Sequence, residues 1–178
     1  MIINANKISS LTWWQIGLIS VVISSLGSLS GGNPLKKQTK IYTRKLKQAP
    51  WAPPAWIFAP AWTFNNFFLL LALKRIIELD KNISEKKKLL LLQTIIWLIY
   101  FSFNYIYFYK KSPVLAAAWT VTDAALATVS FRLAYKADKK TSFNYIPLVM
   151  WTVFASTLAA YQALKNNDKF LHTKALLS

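Results

Sequence analysis

At three places in the apolar parts of the chain, an aromatic residue is followed by residues at helical spacing that include an amide or a small side chain. These sets are Trp62 with Asn66, Tyr100 with Asn104 and Tyr107, and Trp151 with Ala155 and Leu158. Residues four apart share one face of a helix. Flat aromatic walls with a few orienting amides suit a planar, largely apolar ligand such as a porphyrin. The alternative is that these aromatic residues only pack, or anchor the protein at a membrane interface.

Asp123 is the one acidic residue within the long apolar stretch 112–131. A carboxyl group in such a stretch is costly, which marks it as a candidate functional residue. The alternative is a neutral or hydrogen-bonded carboxyl that pairs with Ser, Thr or Asn of another helix, since burial favours protonation. Both interpretations place Asp123 inside the protein.

The residue sets typical of hydrolytic, redox or metal catalysis are missing from the sequence. There is no cysteine, so thiolate chemistry and Cys-ligated metals are excluded. The sole histidine, His172, lies beyond the last apolar stretch beside Lys169 and Lys174, which makes it a poor axial ligand for a buried haem. We predict no metal and no required cofactor, and free porphyrin fits as a ligand better than ligated haem. Ordinary catalysis is not expected; any chemistry would be the ligand's own, for example light-driven oxidation of a porphyrin beside tryptophan.

Five long stretches with almost no charged residues must position these side chains. Their predicted helical boundaries are 8–29, 54–77, 89–109, 113–135 and 142–165. Each is about as long as the roughly 20 residues that cross the hydrocarbon of a bilayer. Their apolar residues are continuous instead of alternating, which favours α-helices over a β-barrel. The sequence predicts an all-α, multi-pass integral membrane protein, a bundle of five transmembrane helices in a single domain, 1–178.

The basic residues lie in the connections between these stretches. Lys and Arg number 22 against 6 acidic residues, for a net charge of +16. Beside apolar spans, anionic lipid headgroups are the expected partners, and nucleic acid is not. When successive connections are assigned to opposite sides of the membrane, the 22 basic residues divide equally between the two sides. The positive-inside rule therefore determines neither the orientation of the protein nor the membrane in which it lies. The longest connection, 30–53 (the first connection), is long enough to fold over the mouth of a helix bundle.

The segment 48–63 is unusual because it places four prolines and three tryptophans at the start of an apolar stretch. It resembles the signature of the TspO/translocator protein family, the tryptophan-rich sensory proteins once called peripheral benzodiazepine receptors. The residues that match are Tyr42, Leu46, Pro50, Pro53, Pro54, Trp56, Phe58, Pro60, Trp62 and Thr63. Other family motifs are matched downstream by Ser112, Pro113, Pro147, Trp151, Phe154 and Ala155. The similarity covers roughly residues 27–166.

The resemblance implies a five-helix bundle, often a homodimer, whose cavity is capped by the first connection. Together with the helical stripes it yields ten candidate ligand-binding residues: Tyr42, Trp51, Phe58, Trp62, Asn66, Tyr100, Asn104, Asp123, Trp151 and Ala155. The polar lining differs from the family pattern at four positions: Asn66, Tyr100, Trp119 and Ala159. At position 100 the family usually has Asn, and here Asn104 follows one helical turn later. At position 119 the family has an acidic residue, and here Asp123 follows one turn later, on the same helix face.

Leu158, Tyr161 and Lys165 match a loose cholesterol-contact pattern that the family also carries. The alternative is an interfacial tyrosine with a lysine that extends to the membrane surface. The predicted function is binding of a hydrophobic planar molecule for transport or sensing. A tetrapyrrole is favoured over a sterol as that molecule. Two alternatives are a porphyrin photo-oxidation enzyme and a structural membrane protein that recruits partners.

Overall fold

Helices form nearly all the regular structure of residues 8–32, 35–80 and 83–177, the residues that the computed structural model describes. The α-helices are α1 (Trp13–Leu29), α2 (Leu35–Lys40), α3 (Phe58–Glu78), α4 (Ser84–Asn104), α5 (Pro113–Ala137), α6 (Lys139–Phe143) and α7 (Ile146–Lys165). The π-helical turns Ile41–Lys45 and Tyr105–Lys110 extend α2 and α4, and the 3-10 turn Ala55–Ile57 precedes α3.

Within the described residues, four helical segments are long and apolar enough to cross a membrane: Ala55–Glu78, Ser84–Lys110, Pro113–Ala137 and Lys139–Lys165. A fifth helix, α1, is apolar but has only 17 residues, the lower end of what spans a bilayer. The predicted all-helical, multi-pass membrane protein is confirmed. The predicted five spans correspond to four long helices and one shorter one.

The first helix begins later than the predicted residue 8. Thr12 has an extended backbone, and its amide donates a hydrogen bond of 2.9 Å to Oε1 of Gln15. This contact satisfies one of the amides left without a partner at a helix start. It sets the beginning of α1 at Trp13.

Two further boundaries differ from the predicted ones. The first connection, predicted as a loop, contains α2 and the π-helical turn Ile41–Lys45. The last long helix begins at Ile146 instead of residue 142, because α6 ends at Phe143 and Pro147 takes a place in the first turn of α7, where its missing amide hydrogen costs nothing.

The five apolar helices pack in a ring in the order α1, α3, α7, α5, α4. The half of the ring toward the α3–α4 connection has a solid core, formed by Leu69, Ala72, Ile76, Leu89, Ile96, Ala127, Ala134, Tyr145 and Leu148. Within it, Nε2 of Gln93 donates to the Tyr145 hydroxyl (3.0 Å) and to the Leu69 carbonyl (3.2 Å). The other half, beneath the first connection, is less completely filled.

Candidate ligand cavity

A cavity of about 200 Å³ lies between the helices beneath the first connection. All five helices of the ring contribute to its lining. The lining residues are Ser24, Ser28, Gln38, Thr39, Tyr42, Ala55, Phe58, Ala59, Trp62, Tyr100, Phe103, Asn104, Tyr107, Phe108, Thr120, Ala155, Leu158, Ala159 and Gln162. Aromatic walls with a few amides and hydroxyls are typical of small-molecule sites.

A chain of edge-to-face rings forms one side of the cavity. Tyr42 and Phe58 have ring centroids 5.2 Å apart, as do Trp62 and Tyr100. Trp151 stands behind the lining and joins the two pairs, 5.7 Å from Phe58 and 6.4 Å from Trp62. This geometry is the preferred one for aromatic pairs. The rings therefore hold each other in place, with Trp151 supporting the wall instead of facing the cavity.

Tyr100 fits against α1 because Gly27 has no side chain. A Cβ atom on Gly27 would lie only 2.6 Å from the Tyr100 hydroxyl oxygen. Beside it, Nδ2 of Asn66 donates a hydrogen bond to Oγ of Ser24 (3.0 Å). Asn66 thus contacts Ser24 of the lining without lining the cavity itself. Asn104, which does line it, donates from Nδ2 to the Gly27 carbonyl (2.8 Å).

A series of hydrogen bonds fastens the first connection over the cavity. The Tyr42 hydroxyl donates to the Pro53 carbonyl (2.9 Å), and Nε2 of Gln48 donates to the Tyr42 carbonyl (2.6 Å). On α7, Nε2 of Gln162 donates to Oε1 of Gln48 (2.6 Å). The Tyr107 hydroxyl donates to Oε1 of Gln162 (2.7 Å). These residues connect the first connection to α4 and α7.

The structure brings together six of the ten predicted ligand-binding residues in the cavity lining. They are Tyr42, Phe58, Trp62, Tyr100, Asn104 and Ala155. Asn66 and Trp151 lie directly behind that lining. Trp51 is outside it, half-exposed, with Nε1 donating to Oγ1 of Thr157 (3.2 Å) and its ring 5.5 Å from that of Tyr161.

Asp123 is buried in α5 at 2 % exposure but does not line the cavity. Among the described residues its Oδ1 has no hydrogen-bond partner. The structure therefore places Asp123 outside the cavity lining, with no Ser, Thr or Asn among the described residues bonded to its Oδ1.

The three residues of the sterol pattern do not share one surface. Leu158 lines the cavity, Tyr161 packs against Trp51, and Lys165 reaches a second cavity near the end of α7. The described residues also contain no group of three His, Cys, Asp or Glu side chains that could hold a metal ion.

Sequence reasoning missed Gln48, Gln162 and Gly27. A signal existed for Gln162, because it continues the inward stripe of α7 that contains Ala155, Leu158 and Ala159, and an amide on such a stripe needs a buried partner. Gln48 had no such periodic signal, since it lies outside the long helices.

The fold and the cavity together define a class: integral, multi-pass helical membrane proteins with an internal aromatic cavity beneath an extramembrane connection. Within the chain, residues 16–164 match the TspO/MBR family. The chain belongs to the TspO/MBR family, and the resemblance seen in the sequence is confirmed. No curated protein matches the chain.

Proposed function

We propose that this protein spans the membrane with α1 and the four long helices and holds a planar, largely apolar small molecule in the cavity. The ligand class is a porphyrin or another tetrapyrrole, and the role is transport or sensing. The observation that carries the proposal is the aromatic wall formed by Tyr42, Phe58, Trp62 and Tyr100, which presents ring faces and edges to one narrow space. Asn104 and Gln162 add amide groups to the lining.

The cavity is small, so the first connection must move before a porphyrin can enter. At about 200 Å³ it is smaller than the roughly 300–1,000 Å³ typical of small-molecule sites. A macrocycle is admitted only when the first connection moves away. Among the described residues, four hydrogen bonds join that connection to α7 and its C-terminal end: one between Gln48 and Gln162, one between Trp51 and Thr157, and two between Lys47 and Asn166. At about 0.5–1.5 kcal/mol each, these bonds make local opening much cheaper than unfolding.

Replacing Trp62 by leucine is expected to weaken protoporphyrin binding about tenfold, because aromatic contacts of this kind are worth about 0.5–1.5 kcal/mol beyond the area they bury. Binding is measured by quenching of tryptophan fluorescence in purified full-length protein in detergent. Seven of the 8 tryptophans remain in this variant, so the signal is kept. The matched control is Trp56→Leu, which removes a tryptophan that is 71 % exposed.

The proposal requires saturable quenching in the wild type, a weaker affinity in Trp62→Leu, and an unchanged affinity in Trp56→Leu. Circular dichroism of each variant checks that the helices are retained. Quenching that rises without saturation, equally in all three proteins, would mean that protoporphyrin only partitions into the micelle.

A further inference from the structure

A second cavity, of about 400 Å³, opens where the first connection, the α4–α5 turn and the C-terminal segment (166–177) meet. Of the residues that the structure describes, five lysines and no acidic residue line it. We call it the lysine pocket after these residues, which are Lys45, Lys47, Lys111, Lys165 and Lys169. Clustered like charges repel one another. A bound anion would relieve this repulsion.

The one acidic residue of the C-terminal segment, Asp168, does not line the lysine pocket. Asp168 is 2 % exposed and directed inward. Its Oδ2 accepts hydrogen bonds from Oγ of Ser112 (2.5 Å) and the amide of Val114 (3.1 Å). Its Oδ1 accepts from the amides of Phe170 (2.9 Å) and Leu171 (2.8 Å). The carboxylate thus ties the C-terminal segment to the α4–α5 turn, which holds the adjacent Lys111 and Lys169 on one side of the pocket.

The opposite wall is fixed as well. The amide of Lys47 donates to Oδ1 of Asn166 (2.8 Å), and Nδ2 of Asn166 donates to the Lys47 carbonyl (3.1 Å). This pair joins the first connection to the end of α7. The lysines are therefore carried on backbone whose relative positions are set by hydrogen bonds, unlike a run of basic residues on a free loop.

Apolar side chains beside the pocket mark the level of the membrane surface. Leu164 accepts hydrogen bonds from the amides of Leu176 (3.0 Å) and Leu177 (2.9 Å), which fold the end of the chain back onto α7. Phe170, Leu171, Leu176 and Leu177 are nevertheless exposed. Exposed apolar residues next to lysines are typical of a segment that lies at the boundary between lipid and water.

We propose that the lysine pocket binds a phosphate group, carried either by an anionic phospholipid headgroup or by a soluble phosphate compound. Clustered lysines between transmembrane helices suit such headgroups. The pocket is separate from the aromatic cavity, although Tyr107 borders both. The proposal does not depend on what the aromatic cavity holds.

The test uses the full-length protein in nanodiscs of phosphatidylcholine. In one arm, inorganic phosphate is titrated and followed by calorimetry. In the other, the nanodiscs also contain phosphatidic acid, and native mass spectrometry counts the phosphatidic acid that stays bound after release from the nanodisc. Binding in at least one arm is expected to fall about tenfold in the double variant Lys111→Gln, Lys169→Gln.

The matched control is Lys36→Gln with Lys37→Gln, which removes the same charge from exposed positions of the first connection outside the pocket. Lys111→Arg with Lys169→Arg keeps the charge and is expected to retain binding. If the first double variant does not fold, Lys45→Gln with Lys47→Gln tests the opposite wall. Phosphatidic acid binding lost only in pocket variants identifies a lipid, and phosphate binding lost only there identifies a soluble ligand. Equal loss in the control, or no binding in either arm, overturns the proposal.

Discussion

Protoporphyrin affinity is expected to fall at least about 100-fold when Ala159 is replaced by tryptophan, which corresponds to about 2.7 kcal/mol. Ala159 lines the aromatic cavity and is buried. A tryptophan ring at this position would take up much of a space of only about 200 Å³. The expected loss is larger than for removal of one aromatic contact, because the ligand is excluded altogether.

The adjacent Ala160 provides the control for this substitution. It lies on the same helix but is exposed on the outer surface of the bundle. Ala160→Trp therefore adds the same side chain without filling the cavity, and its affinity is expected to equal that of the wild type. Equal affinities for Ala159→Trp and Ala160→Trp would place the ligand elsewhere.

The second large effect is expected from Asp168→Ala, which should destabilise the C-terminal segment by about 2–4 kcal/mol. The substitution leaves four donors without an acceptor: the Ser112 hydroxyl and the amides of Val114, Phe170 and Leu171. Buried donors without partners cost about 1–3 kcal/mol each, less where water reaches them. Hydrogen exchange of the Phe170 and Leu171 amides measures the effect directly.

Glu78→Ala removes an equal charge from the exposed end of α3 and is expected to change stability by less than about 0.5 kcal/mol. Unchanged exchange of the Phe170 and Leu171 amides in Asp168→Ala would show that the carboxylate does not fasten the segment.

The hydrogen bonds that the Asp168 carboxylate accepts depend on pH. Burial opposes ionisation of Asp168, but the hydrogen bonds from Ser112 and from the Leu171, Val114 and Phe170 amides outweigh it and hold the pKa below its ordinary value. Because the pKa is depressed by folding, the stabilisation is present above the unfolded value of about 3.9 and is lost as pH falls through the lower folded value. Wild-type exchange at Phe170 and Leu171 should therefore approach that of Asp168→Ala only in strong acid.

Much of the bundle was readable from the sequence because the cost of burying charge in lipid limits where Lys, Arg, Asp and Glu can lie. The charge-free stretches located the apolar helices, and the Pro and Trp pattern of 48–63 indicated the family. Helical periodicity placed Trp62, Tyr100 and Ala155 on inward faces, and all three line the cavity. Local periodicity is sufficient for these positions, because the inward face of each helix can be read from the sequence of that helix alone.

Contacts between distant parts of the chain were not readable in this way. Gln162 and Gln48 are 114 residues apart in the sequence, and Gln162 and Tyr107 are 55 apart. Likewise, nothing local to Asp168 indicates that its carboxylate accepts from Ser112. Periodicity gave Trp151 an inward face but did not show that Phe58 and Trp62 stand between it and the cavity.

The most direct test of a ligand in the aromatic cavity is to find which side chains a bound porphyrin touches. Protoporphyrin is added to the full-length protein below saturation and illuminated briefly, with azide in the buffer to quench singlet oxygen that escapes. Oxidised residues are then mapped by mass spectrometry. We expect oxidation at Trp62 before Trp13 and Trp56, although these are 74 % and 71 % exposed. Oxidation of Trp13 and Trp56 with Trp62 intact would contradict binding in the cavity.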